Sequence, residues 1–97
     1  MAAYLIIEVA AVRDTEVYAR YRETVSPGLT AGGGTYLVRG GAVEVLEGSW
    51  NPNRVVVVRF PSADAARTWW SGSGYAELKA MRQRSTTTNM ILVEGLE

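Results

Sequence analysis

The chain has 97 residues, sets 10 basic against 10 acidic side chains, and contains neither cysteine nor histidine. Disulfides, thiolate metal sites and thiol nucleophiles are excluded, and the commonest metal ligand and physiological-pH base is missing. No apolar run approaches the ~18 residues of a membrane span, and a neutral chain has no electrostatic footprint for nucleic acid. Residues 1–97 therefore read as one globular domain, placed in the cytoplasm, with no membrane or nucleic-acid partner.

The predicted elements follow in chain order. Residues 3–11 form a short β-rich apolar run and read as a strand. Asp14 is a helix N-cap candidate, and Val17, Tyr18, Tyr21 and Val25 recur on one helical face behind it. Ser26-Pro27 is expected to break this helix, and Gly32-Gly33-Gly34 ends the segment. Thr35–Arg39 is a second strand, Gly40-Gly41 a turn, Ala42–Glu47 an extended edge ribbon, and Gly48–Asn53 a loop. Arg54–Phe60, with four consecutive valines, reads as a strand buried on both faces. Ser62 caps a helix over Ala63–Trp70, a Gly/Ser stretch leads to a short helix over Tyr75–Arg82, and residues 88–94 form the last strand. The order β-α-β-β-α-β, with a split second helix, is the ferredoxin-like α+β arrangement. It predicts an antiparallel sheet in order 4-1-3-2 with the helices on one face.

Strand alternation sorts the apolar side chains onto two faces. Leu5, Ile7, Val9, Tyr36, Val38, Val56, Val58, Phe60, Ile91 and Val93 are assigned to the helix-covered face. Tyr4, Ile6, Glu8, Leu37, Arg39, Val55, Val57, Arg59, Met90, Leu92 and Glu94 are assigned to the other. The middle of this second face is also apolar, which a solvated sheet face would not be. Both helical segments are already used, so a second copy of the chain is the simplest cover and a homodimer is expected. The plainer alternative folds the 40–53 loop over that face.

Several residues now form a recognisable pattern. Gly34-x-Tyr36-Leu37-x-Arg39-Gly40-Gly41, Leu46-Glu47-Gly48-x-Trp50, Arg54-Val55-Val56, Phe60-Pro61-Ser62, Ala66 and Trp69 resemble the bacterial family of domain of unknown function 1330. Tyr18, Tyr21, Tyr75, Arg82 and Val93-Glu94-Gly95 extend the resemblance over nearly the whole chain. It implies a dimeric α+β barrel, two ferredoxin-like sheets face to face. That wider group includes cofactor-independent monooxygenases, muconolactone-type isomerases, haem-binding enzymes and proteins without known activity, so the fold does not select a reaction. The chain departs from the family pattern at Gly72-Ser73-Gly74, where Ser-Pro-Glu is usual, and at Trp70 and Arg59.

Two aromatic groups could carry a site. Tyr18, Tyr21 and Arg22 lie on or beside the buried face of the first helix, where phenol hydroxyls and a guanidinium fork suit a small acid or phenol. Trp50, Trp69, Trp70 and Tyr75 form the second group. Trp69 and Trp70, adjacent on a helix, diverge by about 100°, so only one can point inward. Arg39, Glu44 and Glu47 flank the glycine turn, and Arg82, Arg84 and Asn89 are placed at a pocket mouth. For each group, ordinary packing or a solvated surface is the plain reading. The glycine runs follow helices and do not make a phosphate loop, and no carboxylate cluster suits a metal.

The expected function is that of a homodimer binding a small apolar or acidic molecule between the first helix and the sheet. Tyr18, Tyr21, Arg22, Arg39, Glu47, Trp69 and Tyr75 are the candidate contacts, with neither cofactor nor metal. The alternative is a cofactor-independent enzyme, monooxygenase-like or isomerase-like, acting on a small aromatic or lactone-type acid. There Arg22 or Arg39 would hold the anion and Tyr21 or Glu47 would move the proton. The third reading is a structural assembly module without a ligand. A concave pocket of roughly 300 Å³ or more with convergent polar groups favours either of the first two, and a filled core sinks both.

Overall fold

The computed structural model describes residues 1–96. Seven elements run in the order β1 (Ala3–Val12), α1 (Thr15–Ala31), β2 (Thr35–Arg39), β3 (Arg54–Phe60), α2 (Ala63–Ser71), α3 (Ser73–Ser85) and β4 (Thr86–Glu94). The strands form one antiparallel sheet in the order β2-β3-β1-β4. The predicted α+β topology and strand order are those observed.

Local chemistry sets the element boundaries. The Asp14 carboxylate accepts from the Val17 amide at 3.1 Å and starts α1; the Ser62 hydroxyl accepts from the Ala65 amide at 3.1 Å and starts α2. Contrary to the sequence expectation, α1 does not break at Ser26-Pro27 but continues to Ala31. Pro27 is exposed, on the side where the carbonyl it leaves unbonded can take water. Leu29, one half-turn later, is almost wholly buried, and its packing outweighs the lost hydrogen bond. The segment 42–47 forms no strand and is exposed throughout, so the predicted edge ribbon is absent. At the far end α3 passes into β4 without a connecting residue. Arg13 secures that junction, its guanidinium donating to the carbonyls of Gln83 (2.9 Å), Arg84 (3.3 Å) and Thr86 (2.8 Å) and to the Thr87 hydroxyl (2.7 Å). It thereby caps the α3 C-terminus.

The core lies between the helices and one sheet face. Leu5, Ile7 and Val9 of β1 and Val56, Val58 and Phe60 of β3 meet Tyr18, Tyr21, Val25 and Leu29 of α1 and Trp69 and Tyr75 of α2 and α3. Two strands present the opposite parity from that expected. Leu5 pairs with Leu92 and Ile7 with Met90, so Met90 and Leu92 face the helices, whereas Ile91 (58% exposed) and Val93 lie on the open face. The run Met-Ile-Leu-Val is apolar in either phase, so its pattern carries no phase information; pairing with β1 decides it. In β2 a register shift between Tyr36 and Val38 inserts one extra residue. Beyond it Val38 pairs with Val57 and joins the open face, while Arg39 pairs with Val56 and turns to the helix side.

The open face carries Tyr4, Ile6, Val55, Val57, Ile91 and Val93 around Glu8. Trp50, from the 40–53 loop, reaches onto it and donates its indole N–H to Glu8 Oε2 at 2.9 Å; Asn89 donates to Oε1 at 3.0 Å. The Trp50 bond, then the Asn89 bond, holds the Glu8 carboxyl below its ordinary range, with a smaller opposing contribution from desolvation. The loop does not otherwise cover the face: Val43, Val45, Leu46 and Trp50 are themselves exposed.

Two glycines separate backbone freedom from close packing. Gly28 lies within α1 with no atom within 4 Å of a Cβ built there, so Gly28→Ala is expected to stabilise the fold by about 0.5–1 kcal/mol. At Gly34 a Cβ would stand 2.5 Å from Leu29 Cδ2, and Gly34→Ala is expected to cost about 1–3 kcal/mol. Urea denaturation of both variants measures the two signs.

Candidate functional site

The helix-covered face contains a cleft of about 40 Å³ between α1 and the sheet, bordered by Tyr18, Tyr21, Arg22, Tyr36, Arg39, Arg54, Trp69, Arg82 and Met90 together with aliphatic side chains of the core. It is far below the roughly 300–1,000 Å³ of pockets that enclose drug-sized ligands, so a pocket of the expected size is not found between α1 and the sheet. The larger concavity, about 570 Å³, is a groove on the β4 side, bordered by Arg13, Trp70, Gln83, Thr87 and Ile91. Arg82 and Met90 border both spaces and stand between them.

The aromatic positions follow from helix geometry. Tyr18 and Tyr21, one turn apart on α1, stack with ring centroids 6.0 Å apart. Trp69 turns inward and stacks on Tyr75 at 4.0 Å, while Trp70 is exposed and carries the Lys79 ammonium over its ring at 3.8 Å. The divergence expected of adjacent tryptophans is therefore observed. The hydroxyls of Tyr21 and Tyr75, from residues 54 apart in sequence, meet at 2.7 Å inside the core. Arg82, only 6% exposed, donates Nε–H to the Tyr75 hydroxyl at 3.3 Å. Burial, then the neighbouring Tyr75, pushes the Tyr21 hydroxyl well above the ordinary phenol range, against a smaller opposing pull from Arg82. Tyr21 is thus held as a neutral hydrogen-bonding group.

The outer wall of the cleft is basic. The Arg22 guanidinium lies 5.2 Å from the Tyr18 ring centroid and that of Arg39 lies 4.5 Å from Tyr36. Arg39 also donates to the Arg22 carbonyl at 3.0 Å, which ties β2 to α1. Arg54 reaches in from the start of β3, packing over Gly40, whose φ of +74° makes the turn that leaves it room. Its Nε is buried without a hydrogen-bond partner.

Of the candidates, Tyr18, Tyr21, Arg22, Arg39 and Trp69 border this cleft, and Tyr75 stands behind them, stacked on Trp69 and bonded to Tyr21. Glu47 does not: it lies in the exposed 40–53 loop, as does Glu44, because the expected ribbon never forms beside the sheet. Trp50 is separated from the other tryptophans and bonded to Glu8 on the opposite face. Asn89 is on that face too, and Arg84 is exposed. Arg82 does border a pocket, as expected, but from a buried position, and Tyr36 and Arg54 join the lining without a signal in the sequence reading. The heptad spacing of Tyr75 and Arg82, two turns along one helix face, was the signal available for Arg82. Among the described residues no group of three or more Asp, Glu, His or Cys side chains is placed to hold a metal ion. No helix of the described residues is long and apolar enough to cross a membrane.

Comparison with known proteins bears on this geometry. The family described as "Domain of unknown function (DUF1330)" matches residues 2–96. The chain belongs to that family. No curated protein matches it. Among solved structures, it is similar to RPA0582, a protein of unknown function from Rhodopseudomonas palustris. The TM-score is 0.80 at 19% identity, over 99% of this chain and 83% of the other. It is also similar to SnoaB, a cofactor-independent oxygenase from Streptomyces nogalater. There the TM-score is 0.64 at 9% identity, over 99% of this chain and 94% of the other. At such identities the likeness is one of fold.

The buried hydroxyl pair gives an expected pH response. Tyr21 keeps its proton in the folded state beyond the pH at which an unfolded tyrosine, with pKa about 10, loses it. Above that pH the unfolded chain binds fewer protons, so stability is complete below about pH 10 and falls as pH rises further. Tyr21→Phe is expected to flatten this alkaline loss, as measured by denaturation across pH 8–11. Tyr75→Phe strands both Tyr21 and the Arg82 Nε and is expected to cost about 1–3 kcal/mol, more than Tyr21→Phe.

Proposed function

We propose that the chain works as a homodimer that binds a small apolar or acidic molecule in the cleft between α1 and the sheet. The observation that carries the binding reading is the hydrogen-bonded chain Tyr21–Tyr75–Arg82 at the cleft, polar groups converging inside an otherwise apolar core. A core selected only for packing has no use for a guanidinium and two hydroxyls there. The cleft's small free volume suits the polar head of a ligand. Arg22, held by stacking, and Arg39, held by stacking and one hydrogen bond to the Arg22 carbonyl, form no ion pair and can swing outward to admit the remainder.

The homodimer is supported by the open sheet face. Ile6, Val57, Ile91 and Val93 form a contiguous apolar surface that the chain's own helices leave uncovered. Pairing two such faces buries both and fits the commonest symmetry of soluble oligomers. The second reading is a cofactor-independent enzyme acting on a small aromatic or lactone-type acid. It is favoured by the fold shared with SnoaB and by donors suited to a developing oxyanion. Substrate turnover by the purified protein without an added cofactor would separate it from the binding reading.

In sedimentation at micromolar concentration the protein is expected at twice its 10.6 kDa chain mass, and Ile91→Asp is expected to return it to one chain. A folded wild-type monomer would remove the dimer. Native mass spectrometry of protein purified from its host is expected to show a retained small molecule, lost in Tyr21→Phe or Arg22→Ala. Indifference of a retained molecule to both substitutions would remove this cleft as its site.

A further inference from the structure

We infer that the ligand of this cleft is an organic carboxylate, with Arg82 as the cation that receives it. The inference rests on the reading that the cleft binds a small molecule and names that molecule's class.

Four of the chain's nine arginines, Arg22, Arg39, Arg54 and Arg82, border the cleft, and no acidic residue does so among the described residues. Arg82 is 6% exposed, yet the one salt bridge among the described residues is the exposed Arg67–Asp64 pair. A guanidinium keeps its charge, so near-complete burial without a counter-ion is costly, although the terminal nitrogens of Arg82 retain some contact with solvent. The C-terminus of α3 would welcome a cation, but Arg82 bonds back through Nε to Tyr75, two turns earlier, away from the last carbonyls. Those carbonyls are served by Arg13. Only Nε of Arg82 has a hydrogen-bond partner among its side-chain nitrogens, which leaves the terminal nitrogens for an incoming group. The buried, unpartnered Nε of Arg54 is a second donor at the same cleft.

A planar fork and phenol donors match a carboxylate, which can take two parallel N–H bonds from Arg82 and one from a tyrosine hydroxyl. Apart from these arginines the lining is aromatic and aliphatic, so the remainder of the ligand is apolar. Arg82 and the flexible Met90 also border the larger groove beside β4, so the cation lies within reach of that groove as well as of the side that Arg22 and Arg39 flank.

The test uses the full chain with benzoate and its neutral isostere benzamide. Calorimetry is expected to show benzoate binding and benzamide binding at least ~10-fold more weakly, the margin that one charge-assisted hydrogen bond supplies. The Arg82 Nε–H resonance is expected to shift on adding benzoate and not benzamide. Arg82→Met is expected to abolish the preference while leaving the melting temperature of the ligand-free protein unchanged or higher, since it removes an uncompensated buried charge. Equal binding of the two probes, an Arg82 resonance unmoved at saturation, or a benzoate preference that survives Arg82→Met overturns the inference. If Arg82→Met does not fold, the resonance of the wild-type protein decides. Equal binding that still requires Tyr21 leaves the cleft reading standing without its anion. Binding of neither probe, with no molecule retained in native mass spectrometry, removes both.

Discussion

The alternation of side chains along β1 and β3 is the constraint on which the molecule rests. These two central strands send Leu5, Ile7, Val9, Val56, Val58 and Phe60 to one side, where the helices bury them, and Tyr4, Ile6, Val55 and Val57 to the other, which no helix covers. Because the period is two residues, neither strand can slip by one without exchanging its core for its surface. The positions of α1, of the α2–α3 pair and of every side chain at the cleft follow from that register.

How far this was legible in the sequence depends on what each residue pattern could encode. Asp14 and Ser62 announced helix starts because a cap is a local interaction, complete within three residues. The strand order was also readable, since the succession of elements leaves few topologies. The phase of β4 was not, because Met90 to Val93 is apolar whichever way it faces and only the partner strand breaks the tie. The bulge at Leu37 was equally silent, and it reverses Val38 and Arg39. Pro27 misled for a different reason: a local penalty was outweighed by the distant packing of Leu29.

The site shows the same division. Tyr18 and Tyr21 are legible from helical spacing, which places aromatics on a buried face, and Trp69 and Tyr75 from the aromatic cluster around Trp70. Spacing could not show that the Tyr21 and Tyr75 hydroxyls would touch, since they lie 54 residues apart. Nor could it separate a buried arginine from a solvated one. Arg82 and Arg84 are two residues apart near the end of α3, yet one is in the core and the other in water. Glu47 was favoured for its carboxylate, but a loop that forms no ribbon carries it away from the sheet. What emerges is a cleft with basic side chains and no acid of its own, in a chain whose net charge is zero. Uniform neutrality of composition concealed a one-signed interior.

The direct passage from α3 into β4 has a mechanical consequence. No residue intervenes to absorb slack, and the Arg13 guanidinium is clamped on the joint, so the last helical turn and the first strand residues are held together as a single lever arm. Arg82 sits three residues before its fulcrum. The outermost strand is thereby joined directly to the helical turn that carries a charged group in the middle of the protein.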